Sequence, residues 1–107
     1  MTITQAAPDL LPLESLERSA AVLRVLAHAQ RLRIVELLME RKMSVGELAG
    51  TLDLAPNAVS QHLNHMRAHG ILACRRDGRI AYYRVANPHA CNVIRCIRRH
   101  ANEMSDG

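Results

Sequence analysis

A chain of 107 residues with 14 Lys and Arg against 10 Asp and Glu carries a net charge of +4 and a pI near 9.5. That balance favours an anionic partner such as nucleic acid. With no Trp, no Phe and two Tyr, the chain cannot build an aromatic core, so Leu, Ile, Val, Met and Ala must fill one, and they favour helices. Three cysteines, an odd number, do not make a disulfide framework and are expected to be thiols. No apolar run approaches the roughly 20 residues of a bilayer span. The N-terminal MTITQAAPDL lacks the basic and apolar regions of a signal peptide. The expected setting is therefore the cytoplasm, with no membrane. A chain this short buries only about 60–65% of its unfolded surface, and dimerisation would give its apolar helix faces a place to go.

Residues 1–11 are polar and irregular and read as a flexible tail, leaving 12–107 as a single domain. From Leu13 to about Leu26, Leu16, Ala20, Leu23 and Val25 recur at helical spacing. A second helix is expected over RLRIVELLMERK, residues 31–42, with Leu32, Ile34, Val35, Leu37 and Leu38 as its apolar content. Ser44 followed by Glu47 is a capping box that opens a short third helix, VGELAGTL. Pro56 suits the first position of a fourth helix, and Gly70 stops it as a left-handed cap. Two β-prone runs flank Asp77-Gly78, a strong short hairpin signal. Asn87-Pro88 then starts a last helix that runs to about Met104. The order ααααββα, mainly α with a small β-hairpin wing, is that of a winged helix-turn-helix.

A helical wheel of the fourth helix puts Val59, Leu63 and Met66 on one side, the expected buried face. Asn57, Ser60, Gln61 and Asn64 fall opposite, with Arg67 at the edge and His62 also among the candidate DNA contacts. Amides and hydroxyls read base edges, and Asn or Gln pairs bidentately with adenine. Arg75, Arg76 and Arg79 crowd the hairpin tip, where they suit phosphates or a narrow minor groove. Arg31 and Arg33 are weaker phosphate candidates.

The segment from LAHAQRLRIVELL through SVGELA and SQHLNHMRAHGIL to RRDGRIAYYRV resembles the ArsR/SmtB family of bacterial repressors. The likeness covers roughly residues 20–104. It departs at Ala29, where the family usually has proline. The resemblance implies a homodimer formed through the first and last helices and bound to a palindromic double-stranded DNA operator. It also implies repression relieved by a ligand, commonly a metal ion or a thiol-reactive signal.

In zinc-sensing members the last helix carries Asp-x-His, then His-x-x-Glu or His-x-x-His eleven residues beyond. Here the matching positions are Asn87, His89, His100 and Glu103, candidate ligands for zinc or another divalent ion with an amide in place of the first carboxylate. Asn87 before Pro88 is equally an ordinary helix cap. His89 and His100 point the same way but lie about 16 Å apart along the axis, so only an antiparallel partner helix can bring them to one ion. Cys96 shares that face, and two copies would meet near the dyad, open to a disulfide or a sulfur ligand. Cys91 points nearly opposite, and Cys74 lies on the first hairpin strand. These thiols are the redox or sulfide-sensing alternative, with small buried hydrophobes as their plain reading. The helix-two cysteine of thiol-sensing members is replaced by Glu36, and an arsenite sensor would need about three converging thiols. His62, His65 and His69 share one side of the fourth helix, a weaker metal candidate on a helix expected to lie in DNA. An enzyme is not expected, for the chain has no C-x-x-C, no glycine-rich phosphate loop and no nucleophile with a base at recognisable spacing.

Overall fold

The computed structural model describes residues 9–106. Residues 1–8 of the expected tail lie outside the described residues; Asp9, Leu10 and Leu11 are exposed. Helix α1 (Leu13–Leu26) follows Pro12 and has Glu14 in its first turn, where a carboxylate suits the helix dipole. It buries only Val25 and Leu26, leaving Leu13, Leu16 and Leu23 in solvent.

Helix α2 (Ala29–Glu40) differs from its expected 31–42 span at both ends. It starts earlier because the His28 ring caps it, with the Gln30 N–H donating to His28 Nδ1 at 3.2 Å. It stops at Glu40 because Arg41 turns extended and feeds a two-residue strand, β1 (Met43–Ser44). The sequence pattern gives no sign of strand β1. Too short to show alternation, it exists because Met43 and Ser44 pair with Tyr83 and Tyr82.

The capping box forms as expected. Ser44 Oγ accepts from the Glu47 N–H at 3.1 Å, and the Ser44 N–H donates to Glu47 Oε1 at 3.0 Å. The Ser44 amide and the Arg41 guanidinium hold the Glu47 carboxyl below its usual range. Helix α3 (Val45–Leu52) ends at Asp53, left-handed at φ 56°. A turn then admits helix α4 (Pro56–Ala68), with Pro56 at its start. Gly70, at φ 74°, closes α4. The Ile71 N–H reaches Met66 O at 2.9 Å and the Gly70 N–H reaches Arg67 O at 3.0 Å, a Schellman cap.

Strands β2 (Leu72–Asp77) and β3 (Ile80–Val85) pair antiparallel, completing a sheet of order β1-β3-β2. The hairpin turn is shifted by one residue from Asp77-Gly78. Asp77 pairs with Ile80, so Gly78 and Arg79 form the loop. Gly78 has φ 67° and Arg79 is not left-handed, the pattern of a type II′ turn with glycine first. A turn over Asp77-Gly78 would set Arg76 directly across from Arg79, a repulsive pair. The observed register instead sets Arg76 opposite Ala81 and Leu72 opposite Val85.

Helix α5 (Pro88–Asp106) packs Ala90 and Ile94 into the core. From Arg95 to Met104 it is exposed. The core is aliphatic, with Leu26, Ile34, Val35, Leu48, Val59, Leu63, Met66 and Ile71 sealed from solvent. No polar or charged residue is buried among the described residues.

Candidate nucleic-acid interface

Helix α4 has two unlike faces. Val59, Leu63 and Met66 are each 0% exposed and anchor the helix on the core. Asn57, Gln61, Asn64 and Arg67 are exposed, and Ser60 is half-buried. The amide row is therefore fixed at its back by packed aliphatics and free at its front, the arrangement that base-edge reading requires.

His62 sits apart from that row. Its Nδ1 accepts from Arg31 Nε at 3.3 Å, and its ring meets His28 edge-on with centroids 4.7 Å apart. Burial first, then the neighbouring His28, Arg31 and His65 charges, push the His62 imidazole below its ordinary range. The neutral ring is what lets Nδ1 act as acceptor. Arg31 also donates to Val25 O at 3.0 Å. It ties the ends of α1 and α2 to α4 rather than standing free for a phosphate. Arg33 is paired to Glu36 at 2.6 Å. His65 and His69 stack along the same flank, centroids 4.6 Å apart, with His69 Nδ1 donating to His65 O at 2.9 Å. Desolvation, then Arg31 and His69, lower the His65 pKa as well.

At the wing, Arg75, Arg76 and Arg79 are all exposed around the Gly78 turn. Arg76 Nη1 donates to Arg79 O at 3.4 Å, bracing the tip. Arg75 and Arg76 leave opposite faces of β2, since side chains alternate along a strand.

The last-helix candidates are placed less simply. Asn87 Oδ1 accepts from the His89 N–H at 2.9 Å, which commits the amide oxygen to capping α5. His89, His100, Glu103 and Cys96 are exposed, and Cys91 is half-buried. Cys74 is half-buried beside its cross-strand partner Tyr83, whose phenol is pushed up by burial and by Cys74. No three His, Cys, Asp or Glu side chains converge within one chain among the described residues. Glu36 faces α5, with Arg98 Nη2 at 3.5 Å. Glu36, the position that the resemblance set against the helix-two cysteine of thiol-sensing members, is thus held in an ion pair.

A helix-turn-helix with an exposed amide row, beside a basic two-stranded ribbon, defines a winged DNA-binding protein. Among the described residues no helix is long and apolar enough to cross a membrane. The family model for the bacterial regulatory proteins of the arsR type matches residues 28–73. A transcriptional repressor SmtB homolog of Synechocystis is 30% identical over 101 residues, covering 94% of this chain and 76% of the relative. Reduced HlyU from Vibrio cholerae superposes with a TM-score of 0.74 at 31% identity, covering 81% of this chain and 93% of that one. The homodimeric winged helix-turn-helix domain of Mb0332 from Mycobacterium bovis superposes with a TM-score of 0.73 at 26% identity, covering 85% and 84%. The chain belongs to the ArsR/SmtB family of transcriptional regulators.

Proposed function

We propose that two copies of this chain bind a palindromic DNA operator as a repressor in the cytoplasm and release it when a ligand engages the seam between their last helices. The observation that carries the reading is the two-faced α4: Leu63 at 0% exposure on one side and the exposed amide of Gln61 on the other. Asn57, Ser60, Gln61, Asn64 and Arg67 would meet base edges in the major groove, while Arg75, Arg76 and Arg79 would take phosphates. His62, held by Arg31, is left as a support for α4 rather than a reader. The dimer is supported by the exposed Leu13, Leu16 and Leu23 of α1 and Ile97 and Met104 of α5, apolar side chains that a seam would remove from water.

Selection of bound duplexes from a random pool should yield an inverted repeat whose half-sites lie about one helical turn apart. On that operator, Gln61→Ala should weaken binding by about 1–3 kcal/mol without altering the dimer. Equal affinity of variant and parent would remove Gln61 from the reading face.

For the ligand, the donors of α5 fit a borderline divalent ion such as zinc bound between subunits. His89 of one chain with His100 and Glu103 of the other supply two imidazoles and a carboxylate, and water or Cys96 thiolate can complete a tetrahedron. Asn87 fits less well as a ligand, its oxygen being engaged in the cap. Bound there, the ion would bridge two helices whose separation sets the distance between reading helices. The alternative sensor is a thiol: the exposed Cys96, with Cys91 and Cys74 less open, answering oxidants, sulfur species or arsenite. Titrating operator release with zinc, nickel, arsenite, polysulfide and peroxide separates these. Zinc should release the parent and Cys96→Ala but leave His100→Ala bound. A His100→Ala protein that answers zinc like the parent would end the metal-seam reading, and release by polysulfide or peroxide that Cys96→Ala abolishes would install the thiol in its place.

A further inference from the structure

Helices α2 and α5 meet along stripes of the same spacing. Ala29, Leu32, Arg33 and Glu36 on α2, and Ile94, Ile97, Arg98 and Ala101 on α5, each follow i, i+3, i+4, i+7, so each set lies along one side of its helix. Between the stripes is an open cleft of about 340 Å³, at the small end of the range for small-molecule sites. Its floor is apolar: Ile94 is buried in the core, Leu32 is half-buried and Ile97 is exposed. Ala29 and Ala101, both exposed, add little bulk.

The rim is charged and out of balance. Glu36 Oε1 accepts from Arg33 Nη1 at 2.6 Å, which takes up one carboxylate oxygen. Arg98 Nη2 stands 3.5 Å from the other oxygen, too long for a strong charge-assisted hydrogen bond. Among the described residues neither arginine has another carboxylate partner. Two guanidinium groups thus share one carboxylate, leaving one positive charge unmet above an apolar floor. Arg98 keeps most of its planar donor fork open, in the shape that a second carboxylate fits bidentately. A cation is repelled by such a rim, and a neutral hydrocarbon leaves its charge unanswered. A molecule with one carboxylate and a short apolar body satisfies both.

We propose that the α2–α5 cleft binds a small amphipathic monocarboxylate, with its carboxylate on the Arg98 fork and its apolar body over Leu32, Ile94 and Ile97. The site shares no side chain with His89, His100 and Glu103, and Ile97 puts it at the edge of the proposed seam. It goes beyond the operator reading and does not depend on it.

Titration calorimetry of the DNA-free protein with octanoate tests the site, with acetate and octanol as matched controls. Octanoate should bind saturably, one molecule per chain. Acetate should bind at least about tenfold more weakly, the loss expected when as few as two buried methylenes are removed. Octanol should also fall at least about tenfold, because it brings no charge to Arg98. Arg98→Met keeps an apolar stem at an exposed position, and circular dichroism checks its fold. It should lower octanoate to the affinity of octanol, and Arg98→Lys should restore the preference for the acid. Absence of saturable octanoate binding overturns the site, as does binding that Arg98→Met leaves unchanged. A parent that takes octanol as well as octanoate overturns the carboxylate assignment. Octanoate binding that appears only on dilution to monomers would show that a second copy fills the cleft, and overturns it too. Every readout is taken without DNA, so a failed titration leaves the operator reading standing, and a failed operator selection leaves the site standing.

Discussion

Leu63→Ala is expected to lower the free energy of unfolding by about 2–5 kcal/mol, the range for removing a fully buried leucine from a packed aliphatic core. Leu63 is 0% exposed and packs among Val59, Met66, Leu48 and the other sealed residues of the core cluster. A domain of this size has about 5–15 kcal/mol in total, so the loss is a large fraction of what holds α4 in place. Urea unfolding monitored by circular dichroism measures it. Gln61→Ala, two residues earlier on the opposite face, should leave stability within about 0.5 kcal/mol while weakening operator binding. The pair is a control on one helix: one substitution damages the fold and the other only the DNA contact. A Leu63→Ala cost below about 1 kcal/mol would show that α4 is not seated on the core as described.

The second large effect is expected at the proposed dimer seam. Ile97→Asp should convert the dimer to monomers, because the aspartate would have to enter an apolar contact without a partner charge. Ile97 is exposed in the single chain and sits beside Ile94 and Arg98 over a cleft of about 340 Å³ between α2 and α5. A monomer engages one half-site at a time, so apparent operator affinity should fall by about 10²–10⁴, the avidity that linking two binding events supplies. Sedimentation and a DNA titration at matched salt read the two quantities separately. A variant that stays dimeric with parental affinity would move the interface away from α5. A variant that turns monomeric yet keeps parental affinity would mean that pairing is not needed for DNA binding.

Several parts of the fold were legible because their signals are local. The Ser44–Glu47 box, Pro56 at the start of α4 and Gly70 at its end each involve residues within one turn of one another. The two faces of α4 follow from spacing alone, since a helix maps sequence separation onto angle. The family resemblance rests on the same stretch.

Other features were not legible, for a common reason. Helix α2 ends at Glu40 because Met43 and Ser44 are needed by Tyr83 and Tyr82, far along the chain. The hairpin register follows from cross-strand charge and packing, not from the Asp77-Gly78 dipeptide. Arg31 and His62 look like DNA contacts by composition, yet they meet each other across 31 positions. Lys42 belongs to no motif, and only the folded sheet lays it over Tyr82 beside Arg75 and Arg84.

Sequence by itself determined which helices form, the Ser44 and Gly70 caps and which side of α4 is apolar, because backbone hydrogen bonding and helical periodicity act between near neighbours. The tertiary structure decided which polar side chains remain free. Hydrogen bonds and ion pairs form between whichever groups the fold brings within about 3 Å, and sequence distance carries no information about that. This is why Gln61 faces solvent while Arg31 is occupied, and why a cationic groove exists on the wing that no run of residues announces.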